Sequence, residues 1–135
     1  MTEYETVIHD AEAEADRGLY KEAYNTLGRA LNLGGPADRE CRYRRGVYAL
    51  RVGHSRLETF QNGSGSGQTL IKAGCWLSRS EAYLLSAKEG ASDDELKQID
   101  ADLEDAKEAQ ERFRKLCRTS KLAIFLEDDG TGEEE

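Results

Sequence analysis

The sequence predicts an all-α protein, and three observations predict that class. An array of three antiparallel helical hairpins is the expected architecture, with an up-and-down bundle as the alternative the same periodicities allow until the internal repeat is considered. The chain of 135 residues holds a single proline, Pro36, so almost no position is barred from a helix. Apolar residues recur at intervals of three and four rather than two, which is the spacing of one helix face. Glycines and Ser/Thr-x-x-Glu motifs punctuate that periodicity at helix-length intervals. With 38% hydrophobic and 34% charged residues, each helix can bury one face and solvate the other.

Thr2 and Glu5 have the spacing of a capping box. Tyr4, Val7, Ile8, Ala11 and Ala15 then form the apolar face of a first helix, which ends near Arg17 and is stopped by Gly18. A second helix follows over about 20–33, with Ala23, Leu27, Ala30, Leu31 and Leu33 on its apolar side. Gly34-Gly35-Pro36 breaks the chain, and the proline suits the first turn of a third helix. That helix is expected over 37–52, ending at Gly53, with a short fourth helix over 54–61 that buries Leu57 and Phe60. Residues 62–67, Asn-Gly-Ser-Gly-Ser-Gly, have the composition of a flexible connection. A fifth helix over 68–88 carries Leu70, Ile71, Trp76, Leu77, Leu84 and Leu85. Ser92 and Glu95 form a second capping box, which opens a long closing helix over 93–118. It is acidic at its start and basic at its end, the sense the helix dipole favours. Leu122–Leu126 is a short apolar run. Residues 127–135 are acidic and glycine-containing, the composition of a disordered tail, so the helical domain is placed at 1–126.

Composition narrows the function. No run of about 18 apolar residues exists, so no membrane span is expected. The acidic start lacks the basic and then apolar character of a secretory leader. Cys41, Cys75 and Cys117 are odd in number and widely spaced without a Cys-x-x-Cys pair. That disfavours a disulfide framework or a zinc site, favours a reducing compartment, and makes a cytoplasmic location the expectation; all three read as small core residues. A net charge of −8 disfavours nucleic acid, whose affinity comes largely from phosphate neutralisation. The charge is uneven: residues 37–60 hold 6 Arg against 3 acids, while residues 92–135 hold 15 acids against 7 Lys or Arg. The basic stretch, with Arg42, Arg44, Arg45, Arg51 and Arg56, could receive an acidic segment of a partner or pair within the molecule.

Ala11 and Gly46 lie 35 residues apart, and so do Gly18 and Gly53. A helix–turn–helix unit of about 34 residues is the mark of stacked hairpin repeats. Gly18-x-Tyr20-x-x-Ala23 followed by Leu27 and Ala30-Leu31, with Ala11 before and Pro36 after, resembles the tetratricopeptide repeat. Residues 4–36 resemble one full repeat, and 39–60 a partial one through Tyr43, Gly46 and Gly53. Asp10, Glu14 and Glu58 depart from the family pattern, and 68–118 matches only in being a hairpin. The resemblance implies a right-handed superhelix whose first helices line a concave groove for a partner peptide or helix. By repeat position that groove is lined by Ile8, Glu12, Ala15 and Asp16, then by Tyr43, Val47, Leu50 and Arg51. The Lys/Asn/Arg clamp of chaperone-binding members is not reproduced, since Ile8, Glu12, Tyr43 and Val47 stand at its positions. The stripe Tyr43, Val47, Leu50 and Arg51 also shares one helix face on spacing alone; packing as ordinary core is its alternative.

No catalytic arrangement is legible. His9 and His54 lack ligand-like neighbours at metal spacing, and the Gly63–Thr69 stretch lacks the lysine of a phosphate loop. No cofactor or metal is expected, and the function expected is protein binding, as an adaptor or scaffold. The alternative is a structural subunit: Leu96, Ile99, Leu103, Ala106, Phe113 and Cys117 keep a three-and-four alternation that could form a homodimer seam or close the array.

Overall fold

A computed structural model describes residues 2–33 and 38–120, the side chains of Asn32 and Leu33 excepted. The break at 34–36, the apolar run 122–126 and the acidic stretch 127–135 lie outside the described residues. Among those described, all regular structure is helical: α1 (Glu3–Asp16), α2 (Tyr20–Leu33), α3 (Asp38–Gln61), α4 (Gly67–Ala87) and α5 (Asp93–Thr119). No helix among them is long and apolar enough to cross a membrane.

Local chemistry sets most of the ends. Thr2 Oγ1 accepts from the Glu5 amide at 3.1 Å, and Glu5 Oε1 accepts from the Thr2 amide at 2.9 Å. Ser92 and Glu95 repeat the exchange at 3.2 and 2.8 Å, so both capping boxes form and satisfy otherwise orphaned amides. α1 ends where Gly18 takes φ +80° and the amides of Gly18 and Leu19 return to the carbonyls of Ala15 and Glu14, both at 2.9 Å. This left-handed closure favours glycine. The glycine-rich connection is tied at both ends: Ser64 donates to the Thr59 carbonyl at 3.1 Å, and the Ser66 amide donates to Thr69 Oγ1 at 3.1 Å.

The expected break at Gly53 is absent. α3 runs unbroken through it, giving five described helices: two hairpins, α1–α2 and α3–α4, followed by α5. The reason lies across the helix pair. A Cβ at Gly53 would stand 2.6 Å from Leu77 Cδ2, and one at Gly46 would stand 2.7 Å from Leu84 Cγ. A seven-residue step along α3 moves the contact seven residues back along α4, as antiparallel helices in close contact require. Leu70, Ala73, Leu77, Ser80, Leu84 and Ala87 form the buried seam of α4, and Ser80 Oγ donates to the Gly46 carbonyl at 2.7 Å. Leu85 turns away from that seam and is 51% exposed. Gly74 gives α5 its own close approach, where an added Cβ would meet the Phe113 ring.

Two apolar clusters result. Val7, Ala11, Ala23, Tyr24, Leu27, Cys41, Tyr48 and Trp76 join α1, α2, α3 and α4. Leu50, Leu57, Leu77, Leu84, Ile99, Leu103, Ala106 and Cys117 join α3, α4 and α5. Val47 packs against both. The apolar alternation of α5 is therefore spent within the chain's own core. Cys41 and Cys117 are buried as expected, but Cys75 is exposed on the outer side of α4.

Candidate partner-binding site

The odd-numbered helices are joined through side chains along α3. Toward α1, Arg44 Nη1 lies 2.9 Å from Glu12 Oε2. Toward α5, the Tyr43 hydroxyl donates to Asp102 Oδ2 at 2.7 Å, Arg39 Nη2 to Glu95 Oε2 at 2.7 Å, and Arg112 Nε to Gln61 Oε1 at 2.8 Å. His54 Nε2 is 3.7 Å from Asp105 Oδ1. Spacing on α3 makes this possible, because residues 39 and 43 are one turn apart on one face, as are 95, 98, 99 and 102 on α5.

Between the first halves of α3 and α5 lies a cleft of about 270 Å³ lined by Arg39, Glu40, Tyr43, Glu95, Gln98 and Ile99. Ile99 and the Tyr43 ring supply its apolar part, while Arg39, Glu95, Glu40 and Gln98 supply polar groups of both signs. Burial, and then the Asp102 carboxylate, push the Tyr43 phenol well above its ordinary range, so the hydroxyl remains a donor at neutral pH. The Ser92 amide, and then Arg39, hold the Glu95 carboxyl below the usual glutamate range. Such a concavity accepts one side chain or a short stretch of peptide.

The residues expected to line the groove are dispersed among different settings. Tyr43 is in the cleft just described. Ile8 and Val47 are half-buried and pack on the apolar clusters, while Glu12 is half-buried and ion-paired to Arg44. Ala15 is half-buried and Asp16 exposed on α1. Leu50, 4% exposed, belongs to the core between α3, α4 and α5. Arg51 is exposed with its guanidinium 5.7 Å from the Tyr20 ring centre, and it lines a different cleft from Tyr43. The structure therefore does not unite Tyr43 and Arg51 in one concavity. Arg39, Glu95 and Gln98 went unnoticed in the sequence; Glu95 carried a signal only as a capping residue.

Among the described residues, no three of His, Cys, Asp and Glu gather where one ion could be held. No family model matches the chain, and neither a curated protein nor a solved structure matches it.

Proposed function

We propose that the chain is a protein-interaction module of tetratricopeptide-like type, an adaptor or scaffold in the cytoplasm that binds a partner peptide or helix along the side shared by α1, α3 and α5. The activity is binding rather than catalysis. The α3/α5 cleft is the observation that carries this reading: the half-buried Tyr43 lines it over the buried Ile99, beside charges of both signs, and an aromatic anchor with a polar rim is a common mixture at interfaces. The hairpin order of the repeat family is in keeping with α1–α2 followed by α3–α4 and a closing α5. Self-association through α5 has less support, since Ile99, Leu103, Ala106 and Cys117 are buried in the monomer.

A photo-crosslinking residue at Gln98, in the cleft, is compared in native lysate with one at Lys107, exposed elsewhere on α5. A discrete adduct at Gln98 that is missing at Lys107 and lost on Tyr43→Ala supports the reading. Indistinguishable labelling at the two positions removes the cleft as the binding site.

A further inference from the structure

We infer a second recognition site, a basic cleft at the end of the α1–α2 hairpin that takes an acidic segment of a partner protein. It depends on different residues from the α3/α5 cleft, so either site can fail without the other.

The arginines of α3 divide into three groups. In the first half, Arg39 lies 2.7 Å from Glu95, Arg42 3.8 Å from Asp38, and Arg44 2.9 Å from Glu12 and 3.0 Å from Glu40. These charges are matched within the molecule. Arg45 is held by tyrosines: its guanidinium sits 3.9 Å from the Tyr24 ring centre, and Nη1 donates to the Tyr83 hydroxyl at 2.7 Å. Arg51 and Arg56 differ. Neither has a carboxylate within ion-pair distance among the described residues, and the same holds for Lys21.

All three cations line one cleft of about 250 Å³, together with Tyr20, Ser55 and a single acid, Glu22. Helix length explains why the cleft exists. α3 has 24 residues and α1 has 14, about 36 and 21 Å at 1.5 Å per residue. The hairpin turns at Gly18 beside the middle of α3, and α3 continues past it to form a step.

An unmatched cluster of cations on a chain of net charge −8 is a local positive potential that attracts carboxylates. Guanidinium groups bind them in a forked, charge-assisted geometry. The Tyr20 ring beside Arg51 restricts that guanidinium before a ligand arrives, which lowers the cost of ordering it. A nucleic acid fits less well, because its continuous phosphate charge extends beyond a small cleft onto a chain whose net charge is −8. An isolated phosphate fits less well too, because Arg51 and Lys21 are exposed rather than converging in an enclosed socket.

The test is fluorescence anisotropy at low salt, with a short labelled Glu/Asp/Gly peptide and the full chain. A full-length variant with the acids at 127–135 changed to Gln and Asn runs in parallel, so that they cannot compete in cis. Saturable binding is expected, weakened about tenfold or more by Arg51→Gln/Arg56→Gln and unchanged by Arg114→Gln on the outer side of α5. Lys21→Gln, on a separate helix, is expected to weaken it too and serves if the double variant loses helicity. No saturable binding, or equal weakening by Arg114→Gln, overturns the inference. So does tighter binding of a single-stranded oligonucleotide that the same variants abolish, which would assign the cleft to phosphate.

Discussion

Replacing Gly53 with alanine separates three readings of that position by the sign of the effect. At a helix end with a left-handed backbone, alanine would be strained whatever lay around it. At an open position within a helix, it would stabilise by about 1 kcal/mol through helix propensity. In the observed setting the new methyl carbon would stand 2.6 and 2.8 Å from two carbons of Leu77. Leu77 is fully buried and has little room to yield. Overpacking of this kind costs about 2–3 kcal/mol, and the propensity gain of about 1 leaves a net loss of about 1–2 kcal/mol. For a domain of this size that lowers Tm by roughly 3–10 °C. The assay is urea unfolding followed by circular dichroism, with Leu77→Ala and the double variant completing a cycle. Leu77→Ala alone costs about 2–5 kcal/mol. The double variant is expected to cost at least 1 kcal/mol less than the sum of the singles, roughly the coupling of residues in contact. Gly46→Ala is predicted to be harder to rescue, because its Cβ would also lie 3.2 Å from the backbone nitrogen of Leu84. A Gly53→Ala protein as stable as wild type, or additive with Leu77→Ala, would refute the close crossing of α3 and α4.

Three further outcomes follow from the geometry. Ser92→Ala is expected to lower the unfolding free energy from urea titration by about 1 kcal/mol at unchanged slope, and Ser92→Gly by only a few tenths; equal losses would mean that the 3.2 Å bond to the Glu95 amide contributes little. Leu103→Ala should cost about 2–5 kcal/mol while light scattering reports the wild-type native mass, because Leu103 packs within its own chain; a changed mass would return the α5 alternation to self-association. The phenols of Tyr4, Tyr24, Tyr43 and Tyr48 are all pushed up, chiefly by burial. A raised folded-state value contributes stability that is present below the ordinary phenol value and lost as pH rises through the folded one. Stability should therefore fall above about pH 10, with tyrosinate absorbance rising together with loss of helicity. Ionisation of these four while the helices stay intact would contradict their burial.

Local signals carried much of the fold. The all-helical class was legible in periodicity and in the near-absence of proline, and both capping boxes stand where Thr2-x-x-Glu5 and Ser92-x-x-Glu95 put them. These depend on contacts within one turn of helix, so neighbouring residues suffice to specify them. Gly18 belongs to the same class, since its turn closes on carbonyls a few residues back.

What required the tertiary structure was every feature set by which helix faces which. Gly18 and Gly53 have equal standing in a 35-residue repeat, yet one supplies a left-handed turn and the other a gap for Leu77; only the partner helix distinguishes them. Tyr43 and Arg51 share a stripe on spacing, but α5 covers one flank of α3 and the α1–α2 turn meets another, so the two residues line separate clefts. The arginine run of α3 likewise looked like one basic surface. Glu12 and Glu95, distant in sequence, neutralise Arg44 and Arg39 and leave Arg51 and Arg56 open. Sequence spacing determines the direction of a side chain from its own helix, whereas its burial and its charge partners are decided by the register of the neighbouring helix, which no local pattern encodes.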